Sequence, residues 1–286
     1  MAELSLEEIR KATGARVENG GDILFKGIVT DTRIVGPGNL FLALRGERFN
    51  GEDFIGEAVE KGAVGVVVHE DCPREKLKNT DAAVFFVPDT LLAYQAIAHA
   101  WRMKFDLPLA AITGSNGKTT TKDLTASVLA VRWPVLKTEA NFNNEIGLPQ
   151  TLLQLDPSHR AAVVEIGMRG LGQIAALAPV AAPTIGVITN VGETHMELLG
   201  SMENIARAKG EMAEAIQPGG TVILNDDDPR VAAMRGKVQD GVRVVTFGTT
   251  GNADIRGGDI VTDGSATRFT VSFDGAPPMN FTLPMA

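Results

Sequence analysis

The sequence predicts an α/β protein in two parts: a small N-terminal α/β block, then a larger domain on a mostly parallel sheet. Three observations carry this. From residue 109 onward short apolar runs alternate with helix-length amphipathic stretches. A glycine-containing loop joins one such run to a helix. The rhythm changes at Asp106-Leu107-Pro108, which reads as a linker and sets the domains at 1–107 and 108–286.

The first block opens with a helix, because Ser5 is an N-cap and Glu8, three residues on, completes a capping box. Strand-like runs follow at Lys26–Thr30 and Asn39–Leu44, punctuated by Gly36-Pro37-Gly38. A helix at Phe54–Lys61 leads into the apolar run Ala63–Val68. A strand at Ala83–Val87 then precedes a helix capped by Asp89 and ending near Lys104. In the second block strands are predicted at Leu109–Thr113, Ala161–Ile166, Thr184–Thr189, Thr221–Leu224 and Arg243–Phe247. The intervening helices fall at about Lys118–Val131, Glu145–Leu155, Gly170–Leu177, Met202–Ile216 and Pro229–Arg235. Apolar strands alternating with helices call for a parallel sheet covered on both faces. After Gly251 the pattern becomes two alternating β runs, Arg268–Phe273 and Met279–Leu283.

With 44% apolar and 22% charged residues, the chain can bury real cores, which excludes a disordered protein. Lys and Arg number 27 against 35 Asp and Glu, and this balance of −8 argues against nonspecific binding to nucleic acid or anionic membrane. The lone Cys72, expected in a surface loop, excludes an intramolecular disulfide or a multi-cysteine zinc site and fits a reducing compartment. No apolar stretch approaches the ~18 residues that a spanning helix needs, and the acidic start MAELSLEEIRK is no signal peptide. The expectation is a cytoplasmic protein with no membrane insertion.

Thr113-Gly114-Ser115-Asn116-Gly117-Lys118-Thr119-Thr120 lies between an apolar strand and a helix. Such a loop turns backbone N–H groups toward phosphate, and the helix N-terminus adds positive potential. Lys118 would reach the β- and γ-phosphates and the Thr119 hydroxyl would ligate Mg²⁺. The spacing departs from the usual phosphate loop, since Ile112 stands where its first glycine would be; a nucleoside triphosphate site is still the better reading than a surface turn. On the helix Met202–Ile216, Glu203, Arg207, Gly210 and Glu214 share one face, whereas Lys209 falls among Ile205, Met212 and Ile216. Its amine either snorkels to solvent or is buried, neutral and reactive, and then able to take up carbon dioxide as a carbamate. Periodicity leaves both readings open. Glu165 ends one predicted strand and His195 follows another, so both project from the carboxyl edge of the sheet beside the phosphate loop. A hydroxyl and a carboxylate suit magnesium; for His195 a structural hydrogen bond is the default. His69, His99 and His159 lie in segments without other chemical signals.

With these residues in this order, the chain resembles the Mur ligase family, ATP-dependent enzymes that extend the peptide of a UDP-muramyl precursor. The resemblance rests on Thr30-Asp31-Thr32-Arg33, Asn39-Leu40-Phe41-Leu42-Ala43-Leu44-Arg45-Gly46 and Asn141-Phe142-Asn143-Asn144-Glu145-Ile146-Gly147. It continues through Glu165-Ile166-Gly167-Met168-Arg169-Gly170, Ile188-Thr189-Asn190-Val191-Gly192-Glu193-Thr194-His195 and Ala206-Arg207-Ala208-Lys209-Gly210-Glu211. Within the family the runs are most similar to the branch that adds D-alanyl-D-alanine to UDP-N-acetylmuramoyl-tripeptide through an acyl phosphate. The branch adding the third residue and a non-catalytic precursor-binding protein are the alternatives.

The resemblance implies a uridine-binding N-terminal α/β domain, with contacts from Asp31, Thr32, Arg33, Asn50 and Gly51 and the neighbouring Glu52-Asp53-Phe54. Many relatives carry histidine where Glu52 stands. It implies a central P-loop-type ATPase in which Lys118, Glu165, His195 and Lys209 are catalytic. Thr119 and Glu165 would hold one magnesium, and His195 with carbamylated Lys209 a second. Asn141 and Gln173 would reach the γ-phosphate or the muramyl-peptide region. The family's C-terminal Rossmann-like domain and a preceding Gly-x-His-Asn segment find no match before Pro284-Met285-Ala286. The expectation is therefore a monomeric fragment that turns over little alone.

Overall fold

A computed structural model describes residues 2–46, 49–78, 80–250, 253–273 and 275–284. Met1, Gly251 and Ala286, which bound expected segments, lie outside the described residues. The chain folds as two compact units, Met1–Leu107 with Trp133–Arg160, and Pro108–Arg132 with Ala161–Ala286.

The first unit begins with β1 (Glu3–Ser5) and α1 (Leu6–Thr13), and the predicted capping box is present: Ser5 Oγ accepts the Glu8 N–H, and Glu8 Oε2 accepts the Ser5 N–H at 2.7 Å. The chain continues through β2 (Arg16–Glu18), β3 (Leu24–Lys26), β4 (Ile28–Val29), β5 (Leu40–Leu42), α2 (Ile55–Glu60), β6 (Gly65–His69), β7 (Ala83–Val87) and α3 (Thr90–Arg102). The expected strand Lys26–Thr30 is two strands, because β3 pairs antiparallel with β1 while β4 pairs parallel with β5. The main sheet runs β2-β7-β6-β5-β4, antiparallel only at β2. One face buries Phe41, Ile55, Val66, Val68 and Phe86; Phe25 and Phe85 meet edge to face at 5.7 Å. Cys72 is buried, not at the surface, and burial pushes its thiol up to about 11.

The second unit starts with β8 (Leu109–Thr113) and α4 (Lys118–Ala130). The next segment, Trp133–Arg160, carries β9 (Val135–Lys137) and α5 (Gly147–Leu152) and clusters with the first unit. Its ties there are specific. Trp101 Nε1 donates to the Leu155 carbonyl at 3.0 Å, Ala2 N–H to Leu153 at 3.1 Å, and Gln95 Nε2 to Glu145 at 3.1 Å.

The second unit resumes with β10 (Ala161–Glu165), α6 (Gln173–Ala181), β11 (Ile185–Ile188), α7 (Met196–Leu199), α8 (Met202–Ala215), β12 (Thr221–Asn225), α9 (Pro229–Ala232), β13 (Arg243–Gly248), β14 (Ile255–Thr262), β15 (Ala266–Phe273) and β16 (Met279–Pro284). Its strands run in the order β16-β15-β14-β13-β12-β11-β8-β10, parallel from β10 to β14 and antiparallel beyond. β8 lies between β10 and β11, with Glu165 opposite Ile112 and Ile188 opposite Thr113. Three strands thus end on one rim, where open parallel sheets collect ligands. β14 was not expected, because Gly257-Gly258-Asp259 weakens its strand signal; the register shifts there, between Gly258 and Val261. Among the described residues no helix is long and apolar enough to cross a membrane.

The tie between α3 and the segment around Leu155 is measurable. Trp101→Phe leaves a buried carbonyl without its donor and should cost about 1–2 kcal/mol in urea denaturation of the whole chain. An unchanged midpoint would show that the indole bond holds nothing.

Candidate active site

β8 ends at Thr113, and the chain turns through Gly114-Ser115-Asn116-Gly117 into α4. Gly114 sits at φ +147°, and a Cβ there would lie 1.9 Å from Thr189 Oγ1, so only glycine passes this point. Gly117, at φ +78°, is the N-cap of α4 and offers no side-chain cap to its first amides. A 13-residue helix opening with uncapped amides presents donors and positive potential to an anion.

The segment after β11 holds this loop in shape. The Asn190 carbonyl accepts the Ser115 N–H at 3.0 Å, and Asn190 Oδ1 accepts the Asn116 N–H at 2.8 Å. Thr189 Oγ1 and Asn190 Nδ2 both donate to the Asn116 carbonyl, at 2.7 and 3.0 Å. Ser115 Oγ donates to the Gly192 carbonyl at 3.0 Å and accepts from Gly192 N–H at 2.8 Å and the Thr194 hydroxyl at 3.0 Å. Val191 N–H donates to Asp228 Oδ2 at 2.7 Å, while the other Asp228 oxygen caps α9. Sequence reading passes over Thr189, Asn190 and Asp228 as functional residues. The available signals were a polar pair directly after an apolar strand and an Asp-Pro helix start.

Lys118 Nζ folds back to donate to the carbonyls of Gly114 and Ser115, at 2.8 and 3.1 Å. Thr119 Oγ1 donates to Glu165 Oε2 at 2.8 Å, and Glu165 is buried at the end of β10. The Thr113 hydroxyl is buried without a hydrogen-bond partner. His195 takes a left-handed conformation at φ +57°, unusual for a residue with a side chain, at the N-cap of α7. Among the described residues its ring makes no hydrogen bond or ion pair. Lys209 is buried in α8, 2% exposed, with no hydrogen bond or ion pair among the described residues. Desolvation, reinforced by the charge of Lys118, brings its amine down to about 7. The snorkelling alternative therefore fails. Gly210, expected on the polar face, is buried against Lys237.

A magnesium ion needs hard oxygens, and the Thr119 hydroxyl and Glu165 carboxylate already converge. No group of three or more His, Cys, Asp or Glu among the described residues is placed to hold a metal. A cation at this pair would complete its shell with phosphate and water. Gln173 Oε1 accepts the N–H groups of Arg169 and Gly170 at 2.6 and 3.2 Å, holding its own loop.

The other sequence-predicted residues belong to the first unit. Asn141 lies in its Trp133–Arg160 segment. Asp31 accepts the Arg33 N–H at 2.9 Å and pairs with its guanidinium, shaping the turn Thr32–Ile34. Asn50 Oδ1 accepts the Glu52 N–H at 3.0 Å, and Gly51 N–H donates to Leu44 at 2.8 Å. Asn50 lines a cavity of about 440 Å³ with Arg45, Glu52, Asp71 and Lys76, whereas Asp31, Thr32 and Arg33 are not in its lining. Glu52 is buried there, bound by Arg45 Nη2 at 3.0 Å and the His69 N–H at 3.1 Å, while Arg45 also pairs with Asp71. Arg45 stands in the run Asn39–Gly46 with no role assigned to it there, and Lys76 stands in no recognised motif, so sequence reading makes neither a candidate.

The profile of the Mur ligase middle domain matches residues 112–286, and that of the Mur ligase family catalytic domain residues 24–102. The chain belongs to the Mur ligase family. It is 49% identical over 246 residues to the UDP-N-acetylmuramoyl-tripeptide–D-alanyl-D-alanine ligase of Synechocystis, spanning 85% of this chain and 53% of that one. Among solved Mur ligases, MurF of Acinetobacter baumannii superposes with a TM-score of 0.91 at 29% identity, covering 100% of this chain and 62% of its own. MurF of Thermotoga maritima, solved in complex with ADP, gives 0.79 at 29% identity, covering 91% and 58%. The chain thus spans about half the length of the curated relative and about three fifths of these structures.

Burial of Lys209 has a pH signature. Its amine titrates near 10.5 when unfolded and near 7 when folded. Between those values the unfolded chain binds the extra proton, so stability rises with pH; below 7 the full cost of the buried charge is present. In carbonate-free buffer, Lys209→Met should stabilise the chain by roughly 2–4 kcal/mol at pH 6 and by less than about 1 kcal/mol at pH 10. A gain independent of pH, read by urea denaturation, would contradict a buried, depressed amine.

Proposed function

We propose that this chain carries the precursor-binding and nucleotide-binding parts of an ATP-dependent ligase. The ligase joins D-alanyl-D-alanine to UDP-N-acetylmuramoyl-tripeptide, in the cytoplasm, during synthesis of peptidoglycan precursors. The observation that carries the reading is the Thr119–Glu165 contact of 2.8 Å beside an uncapped phosphate loop, in a chain 49% identical to a ligase of that name.

In this reading the first amides of α4, with the loop Thr113 to Thr120, receive the β- and γ-phosphates of ATP. Lys118 leaves the carbonyls of Gly114 and Ser115 to follow the transferred phosphoryl group, where its charge offsets the negative charge that develops on oxygen. Thr119 and Glu165 would hold magnesium, whose bound charge neutralises the phosphates and polarises the reacting phosphoryl group. The neutral Lys209 amine suits carbamate formation: its nitrogen bonds the carbon of CO₂, one N–H proton leaves, and a neutral amine becomes an anionic oxygen donor. With His195 that group would hold a second magnesium. Asn141 and Gln173 are assigned to the γ-phosphate or muramyl-peptide region. Asp31, Thr32, Arg33, Asn50 and Gly51 are assigned to the uridine diphosphate end. The chemistry is phosphorylation of the tripeptide's terminal carboxylate, then attack by the amine of D-alanyl-D-alanine on the acyl phosphate. No protein nucleophile is required. The ligase works as a monomer, and this chain alone is proposed to bind both ligands with little turnover.

Calorimetric titration of the chain with a non-hydrolysable ATP analogue and magnesium tests this. The wild type should bind, and Lys118→Ala should weaken binding at least about tenfold without changing the thermal midpoint by more than a degree or two. Undiminished nucleotide binding by the variant would remove the phosphate loop from the reading. In a chain that includes the relatives' remaining length, phosphate release should require both UDP-N-acetylmuramoyl-tripeptide and D-alanyl-D-alanine.

A further inference from the structure

A second cavity, of about 530 Å³, opens in the second unit between α8 and the turn that follows α9. Ala206, Ala233 and the buried Met234 give it an apolar lining. Arg207, Arg230 and Lys237 also line it, with Glu203 as the one carboxylate. Two of these charges are already engaged. Lys237 Nζ pairs with Glu214 at 2.7 Å, and Glu203 is held below its ordinary range by its own backbone N–H, the Ser201 hydroxyl and the charge of Arg230. The guanidinia of Arg207 and Arg230 make no hydrogen bond or ion pair among the described residues. Two guanidinia free of hydrogen bonds and ion pairs among the described residues, beside an apolar hollow, stand out in a chain whose net charge is −8.

We propose that this cavity is a binding site for a small amphipathic anion, its apolar body against Ala206, Ala233 and Met234 and its carboxylate, phosphate or sulfonate on Arg207 and Arg230. The volume is that of a ligand pocket, and planar guanidinium forks suit planar or tetrahedral oxyanions better than a lysine would. The site shares α8 with Lys209 but uses none of the residues assigned to phosphate, metal or precursor. It stands or falls independently of the ligase reading. The lining decides the ligand class: an apolar molecule without an anionic head would leave both guanidinia as they are, and a bare anion would leave the hollow wet.

Two dyes with the same aromatic body separate these terms: 8-anilinonaphthalene-1-sulfonate, and N-phenyl-1-naphthylamine, which lacks the sulfonate. The readout is the ¹³C-methyl resonance of Met234 in the whole chain, assigned by Met234→Leu. The sulfonate dye should shift that resonance saturably, and the neutral dye should do so at least about tenfold more weakly. Replacing both arginines, Arg207→Gln with Arg230→Gln, should weaken the sulfonate dye about tenfold and leave the neutral dye unchanged. Arg256→Gln, an exposed charge on β14, should change neither. A Met234 resonance unmoved by the sulfonate dye, equal response to both dyes, or indifference to the double variant overturns the proposal.

Discussion

The candidate site depends on how β11 and its following loop saturate the backbone of Ser115 and Asn116. A glycine-containing loop is entropically free, and a free loop does not aim its amides. Here Asn190 takes both N–H groups and Thr189 with Asn190 takes the Asn116 carbonyl, so the polar backbone that does not face a ligand is already occupied. What remains open is the start of α4. The clamp exists because β8 and β11 are parallel neighbours in register at Ile188 and Thr113. A register slip of one residue would turn every side chain on the rim to the other face of the sheet.

The same clamp links the loop to the segment carrying His195. Ser115 bonds Gly192 and Thr194, Asp228 holds Val191, and α9 is capped by the second oxygen of that carboxylate. On the far side of α8, Glu211 accepts the N–H groups of Gly172 and Ala175 at 2.6 and 3.0 Å and thereby fixes the start of α6. α8 is thus anchored by its own polar residues while it carries a lysine into the core. A buried amine without a partner is unfavourable, and such an anchored helix is what keeps Lys209 from swinging out to solvent.

Most of this fold was legible because its signals are local and periodic. The strands Ala83–Val87 and Leu109–Thr113 and the Ser5 and Asp89 caps follow from side-chain alternation and short-range bonding. The positions of the loop before α4, of Glu165, of His195 and of Lys209 were legible because each sits at or just after a strand end or on a marked helix. What escaped depends on long-range pairing. β2 and β9 have three residues each, too few to show a period. The segment Trp133–Arg160 interrupts the second unit in sequence, but the bonds of Leu153 and Leu155 to Ala2 and Trp101 bring it to the first. Arg45 gains its significance only from Glu52 and Asp71, 7 and 26 residues away.

A buried polar atom left without a partner costs about 1–3 kcal/mol. The Thr113 hydroxyl is such an atom, at the end of β8; the same unit holds the uncapped start of α4 and the buried Lys209, whose amine feels the charge of Lys118. His99 supplies the contrast. Its Nδ1 is also buried and unpartnered, but it lies in the last turn of α3 and not at a helix start. The charges are complementary in kind: Lys118 and the α4 dipole suit an anion, and Glu165 with Thr119 offers the oxygens that a hard cation needs.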